Sequence, residues 1–365
     1  MDRIAVIAFT EQGCRLAQRL AKGLIERGIA CTASVSGPAR LAEDICIESY
    51  GSLTEWTAQV WPASDALLFV SASGIAVRAI APHVRDKFTD PAVVSVDECG
   101  RFAVPLLSGH VGGANDLARA VAKICGGQAC ISTATDVNSL FAVDEWARKN
   151  GLIICERVLA KEVSAALLAG QSVGFASDFP VEGEVPEGIV RCDVAEGVAS
   201  REASGASDAP EDAVPAIGFH VALDEQSQPF ERTLHLVPRI VTVGAGCHRD
   251  QSYEDLRAGV LEALDEAHVS LRAVSTLASI DVKADEKAMH ELARNMEWDL
   301  VFYTADELNA IPGEFAASDF VKKIVGTDNV CERAAVAGGA QLIAGKRAAH
   351  GVTAAIAVAS FKVRF

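Results

Sequence analysis

Short apolar runs that end near glycine and restart as helices recur along this chain. RIAVIAF, IACTASV, ALLFVSAS (66–73) and VVSVD lead the first part, and IVTVGAG, VSTLAS and LVFYTA the last. Runs of that length, alternating with segments of helical period, build mainly parallel sheets with helices packed on them. The expected fold class is therefore α/β and multidomain: two α/β domains with mainly parallel sheets, joined by a smaller α+β middle domain. At 365 residues the chain can bury several cores. The expected boundaries are 1–140, 141–237 and 238–365.

In the first segment a helix is expected from Cys14 to Arg27, and Gly74 is expected to turn the chain into the helix IAVRAIAPHV. Glu98-Cys99-Gly100-Arg101 looks like a tight turn between VVSVD and FAVPLL. DLARAVAKI should be helical, closed by Gly126-Gly127, with ACISTAT as the next strand. In the middle segment KEVSAALLAG reads as helix, and SVGFASD, AIGFHVA and TLHLVP read as strands. EGVASREASGASDAPEDAVP reads as a long exposed loop. In the last segment Ser252 and Asp255 cap the helix YEDLRAGVLEALDEAHV. EKAMHELARNM and CERAAVAGG are helical, and QLIAGKRAAHGVTAAIAVASF closes as a hairpin.

The net charge of -16 argues against nucleic acid or an anionic membrane as partner. Residues 145–238 carry most of the excess, so the outer segments keep room for basic pockets. No apolar run is long enough to span a bilayer, and the first residues enter a strand without signal-peptide features, so a cytoplasmic location is expected. The ten cysteines stand singly, without zinc-ligand or disulfide spacing, and are expected to be free thiols.

The stretch SGHVGGAND (108–116) concentrates the candidate chemistry. It lacks the lysine of a Walker loop and the spacing of a dinucleotide fingerprint, which argues against a nucleotide-dependent enzyme. Gly112 and Gly113 ahead of a helix would offer backbone N–H groups to an anion, carboxylates included; the same glycines would serve a plain turn, with Asn115 as helix cap. His110 is a candidate general acid or base, or a histidine bonded to its own loop. Arg78 follows Gly74 and suits a bidentate grip on a carboxylate, or simply a solvated helix face. Lys87 and Asp90 would otherwise make a surface ion pair. Asp136 closes STATD at a strand end, where α/β sheets bind ligands, or caps the next helix. In the last segment VGAGCHRDQS repeats the glycine device, and SIDVKADE supplies Asp281, Lys283, Asp285 and Glu286. Cys247 is read as a structural thiol, because a nucleophilic cysteine needs a partnered base.

SGIAVRAIAP, then DKFTDPAVVSVDECGRFAVPLLSGHVGGANDLA, then ISTATD, together resemble the N-terminal region of the CbiG family, the cobalt-precorrin-5A hydrolases of anaerobic cobalamin biosynthesis. Gly244 to Cys247, LASIDVKADE and VCERAAVAGG resemble that family's C-terminal domain, and the segment ending in LHLVPR its variable linking domain. The likeness spans nearly the whole chain. His248 stands where the family usually has arginine, followed here by Arg249. Ser132 stands where threonine is frequent.

The resemblance implies hydrolysis of a δ-lactone on a cobalt-containing tetrapyrrole, with loss of acetaldehyde to give cobalt-precorrin-5B. His110 is then expected to transfer the proton, Asn115 to donate to the developing oxyanion, and Asp90 or Asp136 to orient the histidine or the water. Arg78, Lys87, Gly74, Gly109, Gly112, Gly113 and Thr135 would bind substrate on one side, and Gly244, Gly246, Arg249 and Lys283 on the other. Neither a metal site nor a cofactor is expected in the protein, since cobalt arrives with the substrate. Neighbouring enzymes of the pathway are possible partners. The alternative is a non-catalytic carrier of corrinoid intermediates.

Overall fold

In the computed structural model the described residues are 1–36, 48–86, 89–138, 140–195, 198–201, 214–317 and 325–365. They form two compact units, Met1–Glu145 and Trp146–Phe365.

The first unit is built on a seven-stranded sheet: β1 (Arg3–Ala8), β2 (Ala30–Ser36), β3 (Glu48–Tyr50), β4 (Ala66–Val70), β5 (Ala92–Val96), β6 (Phe102–Leu107) and β7 (Gln128–Ala129). Their order is β3-β2-β1-β4-β5-β6-β7. The first five run parallel; β6 is antiparallel to β5, and β7 is parallel to β6. Every residue of β4 and β5 is buried, because helices cover both faces of the sheet. On one face Val6, Leu68 and Val94 meet Leu16, Leu20 and Leu24 of α1 (Glu11–Ile25). On the other, Ile7, Phe69 and Val93 meet Trp56 of α2 (Leu53–Val60) and Ala76 and Ile80 of α3 (Ser73–Ile80).

The expected turn at 98–101 reverses the chain into β6. Asp97 enforces it: its carboxylate accepts the backbone N–H of Cys99 at 2.9 Å and of Phe102 at 2.7 Å, and Gly100 supplies φ +72°. Leu107 therefore ends beside Val93, at the edge where β5 begins. The carboxyl ends of β6 and β7 share that edge, opposite the carboxyl ends of β1 to β5. From there α4 (Ala114–Cys125), α5 (Ala134–Val137) and α6 (Val143–Lys149) follow.

The second unit contains two larger sheets. One has the order β12-β11-β9-β13-β14-β8, using β8 (Leu152–Ile154), β9 (Val173–Ser177), β11 (Ile189–Ala195), β12 (Val198–Arg201), β13 (Ile217–Val221) and β14 (Arg232–Pro238). The other runs β17-β16-β15-β19-β18, using β15 (Val241–Cys247), β16 (Val274–Ile280), β17 (Asp299–Tyr303), β18 (Gln341–Ala349) and β19 (Val352–Val358). β15, β16 and β17 are parallel, while β18 and β19 form the expected hairpin. A short pair joins β10 (Val181–Glu182) to β20 (Val363–Arg364). Trp146 Nε1 donates to the Arg364 carbonyl at 2.7 Å, and the Phe365 ring stacks on Trp146 at 4.9 Å between centroids. The Ser252 cap opens α8 (Tyr253–Glu266) as expected, its side chain accepting the Asp255 N–H. Helices α7 (Arg157–Leu168), α9 (Lys287–Met296), α10 (Ala305–Ala310) and α11 (Cys331–Val336) complete the unit's principal helices.

Four local expectations are corrected. ACISTAT is not a full strand: the ladder ends at Ala129, and Thr133 bonds the Asp136 carboxylate, favouring a helical turn over extension. Val198–Arg201, expected to be loop, pairs with β11; the rest of that stretch from 202 to 213 lies outside the described residues. Gly74 sits inside α3 rather than in a turn before it. Gly244 and Gly246 lie within β15, not in a glycine turn.

Gly244 is glycine for a packing reason. A Cβ there would overlap the Cys331 carbonyl oxygen and stand 2.6 Å from the Ala335 nitrogen, so α11 rests directly on the strand backbone. Gly244→Ala should destabilise the second unit by about 1–3 kcal/mol through overpacking, read as a lower urea midpoint for its unfolding.

Candidate active site

The loop after β6 folds on itself. Ser108 takes a left-handed φ of 55°, and its hydroxyl donates to the Asp90 carbonyl at 3.1 Å. Backbone N–H groups of Gly113, Ala114 and Asn115 donate to the carbonyls of His110, Ser108 and Gly109. A side chain at Gly112 would collide with Ser108, and Gly113, at φ +83°, is the residue from which α4 starts. The Gly113 N–H is thus bonded within the loop and not held out for an anion.

What the loop presents is His110, half-buried between carboxylates. Nε2 lies 3.0 Å from Asp136 Oδ2 and 3.1 Å from Thr135 Oγ1; Nδ1 lies 3.2 Å from Asp144 Oδ1. Asp136 is further held by the Thr133 hydroxyl, by the Arg119 guanidinium and by Asn115 Nδ2 at 2.9 Å. Burial alone would raise the Asp136 pKa, but the bonds from Thr133, His110 and Arg119 together hold it below the usual carboxylate value. The hydrogen bond to Asp144 pushes His110 above its ordinary value; desolvation opposes this, and Asp136 adds to the rise. Burial by itself would lower Arg119, but Asp136 and Asp116 raise it.

His110, Asp136 and Thr135 are thus brought together as the motif order suggested. Asn115 is placed differently: it is 1% exposed, and its Nδ2 donates to both Thr133 Oγ1 (3.1 Å) and Asp136. Both amide hydrogens are spent on the network, so Asn115 supports Asp136 and has none left for an oxyanion. Asp90 does not orient the histidine. Its Oδ2 accepts the backbone N–H of Arg85 (2.7 Å) and Asp86 (2.9 Å), and its carbonyl accepts the Ser108 hydroxyl. Gly109 lies against Asn115, where a Cβ would come within 3.0 Å of Oδ1. Arg78 is exposed on α3, Gly74 has open space around it, and Lys87 lies outside the described residues.

In the second unit the two motif loops meet at the carboxyl ends of β15 and β16. Arg249 pairs with Asp285 at 2.5 Å, while the half-buried Lys283 pairs with buried Glu286 at 3.2 Å. Gly246 is confined by Thr353, whose Oγ1 would stand 2.8 Å from a Cβ. Burial raises the Cys247 pKa, in keeping with a structural thiol. Glu332, from VCERAAVAGG, accepts N–H bonds from Ala316 (2.8 Å), Asn329 (2.7 Å) and Lys346 (2.6 Å); it is a buried structural knot.

Sequence reading missed Asp144, Arg119 and Thr133 at the His110 cluster. Asp144 looks like an ordinary acid in the first turn of a helix, and only the fold brings it to a ring nitrogen. The ligand atoms of His110, Asp136 and Glu145 lie within 4.8 Å of one another, a spacing that could gather a cation. Both imidazole nitrogens and both Asp136 oxygens already have protein partners, however, and Arg119 supplies positive charge, so the cluster reads better as a proton-bearing site.

Residues 55–136 match the family model described as cobalamin synthesis G N-terminal. Residues 141–238 match that of the cobalamin biosynthesis central region, and 241–357 that of the cobalamin synthesis G C-terminus. A cobalt-precorrin-5A hydrolase of Salmonella typhimurium is 33% identical over 98% of both chains. One of Priestia megaterium is 28% identical, over 91% of this chain and 88% of its own. A solved cobalamin biosynthesis protein G homologue from Sulfolobus solfataricus, 21% identical, covers 97% of this chain and 96% of its own at a TM-score of 0.42.

Because the folded pKa of His110 is raised, its contribution to stability is full below the unfolded value near 6.5 and is lost as pH rises through the folded value. The Asp136 contribution has the opposite sign, lost as pH falls through its lowered pKa. His110→Gln should therefore cost about 1–3 kcal/mol at mildly acidic pH. That gap should narrow on the alkaline side, as read from urea midpoints of both proteins across the range.

Proposed function

The chain belongs to the CbiG family, and on that footing we propose that it is a cobalt-precorrin-5A hydrolase, opening the substrate δ-lactone and releasing acetaldehyde to give cobalt-precorrin-5B. The observation that carries this reading is the 33% identity to a protein of that name over 98% of both chains. The His110 cluster supports it, because the reaction is a sequence of proton transfers. Water adds to the lactone carbonyl, the carbonyl–oxygen bond breaks, and the freed oxygen needs a proton. Cleavage of the C–C bond then turns that hydroxyl into the aldehyde carbonyl, giving its proton back, while the carbon left behind takes one up. A histidine that gives a proton and recovers it serves both halves.

His110 is the proposed proton-transfer group, with Asp136 as its partner and Thr135 beside Nε2. Arg78 and Lys87 are proposed to meet substrate carboxylates. Arg249 and Lys283 are proposed as a second grip, in which substrate carboxylates compete with Asp285 and Glu286. Cobalt comes with the substrate, and the protein is proposed to need no cofactor of its own. No helix among the described residues is long and apolar enough to cross a membrane; a cytoplasmic site of action is part of the proposal.

Purified protein incubated anaerobically with the cobalt lactone should release acetaldehyde. A shift in the corrinoid absorption without acetaldehyde would instead favour the carrier reading. His110→Ala should lower turnover by about a hundredfold or more, the scale of losing a general acid or base. Unchanged release would remove His110 from the mechanism.

A further inference from the structure

We infer that Asp144 is a positioning residue for the reaction proposed above: it bridges Nδ1 of His110 while Asp136 faces Nε2, and so holds the ring as an imidazolium with a proton to give at the start of each turnover. The inference rests on the hydrolase reading for its consequence but on geometry for its content.

A neutral imidazole carries one N–H and one lone pair. Here both nitrogens point at carboxylate oxygens, at 3.0 Å and 3.2 Å. The Asp136 carboxylate is surrounded by donors, Asn115, Thr133 and Arg119, which fit only its ionised form. Asp144 Oδ1 also accepts the Glu145 N–H at 3.0 Å. A lone pair on either ring nitrogen would face negative charge, so both nitrogens carry hydrogen. Thr135 can turn its hydroxyl to accept from Nε2.

The wider charge balance agrees. Asp136 from α5 and Asp144 from α6 meet the ring, Glu145 from α6 lies within 4.8 Å of it, and Arg119 from α4 stands behind Asp136, paired also with Asp116. Two carboxylates against one imidazole favour its charged form over the neutral one. The raised pKa of His110 has Asp144 as its leading cause, as this arrangement requires.

Two consequences follow for the chemistry. Donation comes first: the Nε2–H bond to Asp136 gives way to the substrate, its proton passes to the oxygen leaving the lactone carbonyl, and the ring becomes neutral while Nδ1 stays on Asp144. Only then can that nitrogen take the proton back from the hydroxyl as the C–C bond breaks. Asp144 also lies beyond 55–136 and inside 141–238, so a group acting on the loop histidine comes from the stretch matched by the central-region model.

The test is a pH titration of ring ¹⁵N signals in the full chain labelled at histidine, for wild type, Asp144→Asn and Asp144→Glu, alongside kcat/KM for acetaldehyde release. Wild type should show both His110 nitrogens protonated at neutral pH. Asp144→Asn should move the midpoint to lower pH and carry the alkaline limb of the kcat/KM profile with it, lowering turnover about tenfold on that limb while the acidic side is retained; Asp144→Glu should restore both. An unprotonated nitrogen in neutral wild type, an unmoved midpoint in Asp144→Asn, or a moved midpoint with an unmoved limb would each overturn the inference. Should Asp144→Asn fail to fold, the wild-type nitrogens decide alone. Protonated nitrogens without acetaldehyde from wild type would sink the hydrolase reading and leave the imidazolium standing; acetaldehyde with an unprotonated nitrogen would do the reverse.

Discussion

The carboxylate of Asp97 catches two backbone amides, Cys99 and Phe102, and that turn reverses the chain between β5 and β6. The geometry of the candidate site depends on this reversal. In a parallel α/β sheet ligands usually meet the carboxyl ends of the strands. Here the sheet has two such edges, one for β1 to β5 and another for β6 and β7. His110 leaves β6, and Asp136 follows β7. Because those strands are parallel neighbours, residues 26 positions apart reach hydrogen-bond distance without a long loop.

The sheet of the first unit was largely legible in the sequence, for a physical reason. Strands covered on both faces read as unbroken apolar runs, as β4 and β5 do, and a tight turn needs Asp and Gly where 97–100 has them. His110, Thr135 and Asp136 were also legible, because polar groups in a glycine- and threonine-rich loop have few reasons to be there other than turning or chemistry. What stayed hidden depends on distant neighbours. Asn115 is fully buried against Asp136, a fact that no local pattern carries. Asp144 is separated from His110 by all of α4, β7 and α5. The Gly244 requirement comes from the backbone of Cys331, in another helix. Thr133 competes for Asp136 with its own side chain, and so cuts short the strand that its β-branched character suggested.

In the second unit the motifs divide between two physical roles. Glu332 accepts three N–H bonds, from Ala316, Asn329 and Lys346, so it ties the start of α11 to β18 and to the chain around 316. A buried carboxylate held by three donors is costly to disturb. Arg249 and Asp285 are instead exposed, where ion pairs are weak and exchange readily with other anions. The loops after β15 and β16 thus combine a half-buried pair, Lys283–Glu286, with an exposed one, Arg249–Asp285.

The return of residues 363–365 to the helix that begins at Val143 bears on how the protein is made. Trp146 and Arg364 are 218 positions apart, and Asn150 bonds the same Arg364 carbonyl from 214 positions away. During synthesis the aromatic cluster of Trp146, Phe175 and Phe219 must wait, with one side uncovered, until Phe365 has left the ribosome. The sheet that holds β9 and β13 is consequently a late-closing part of the chain, its aromatics open on that side during the interval.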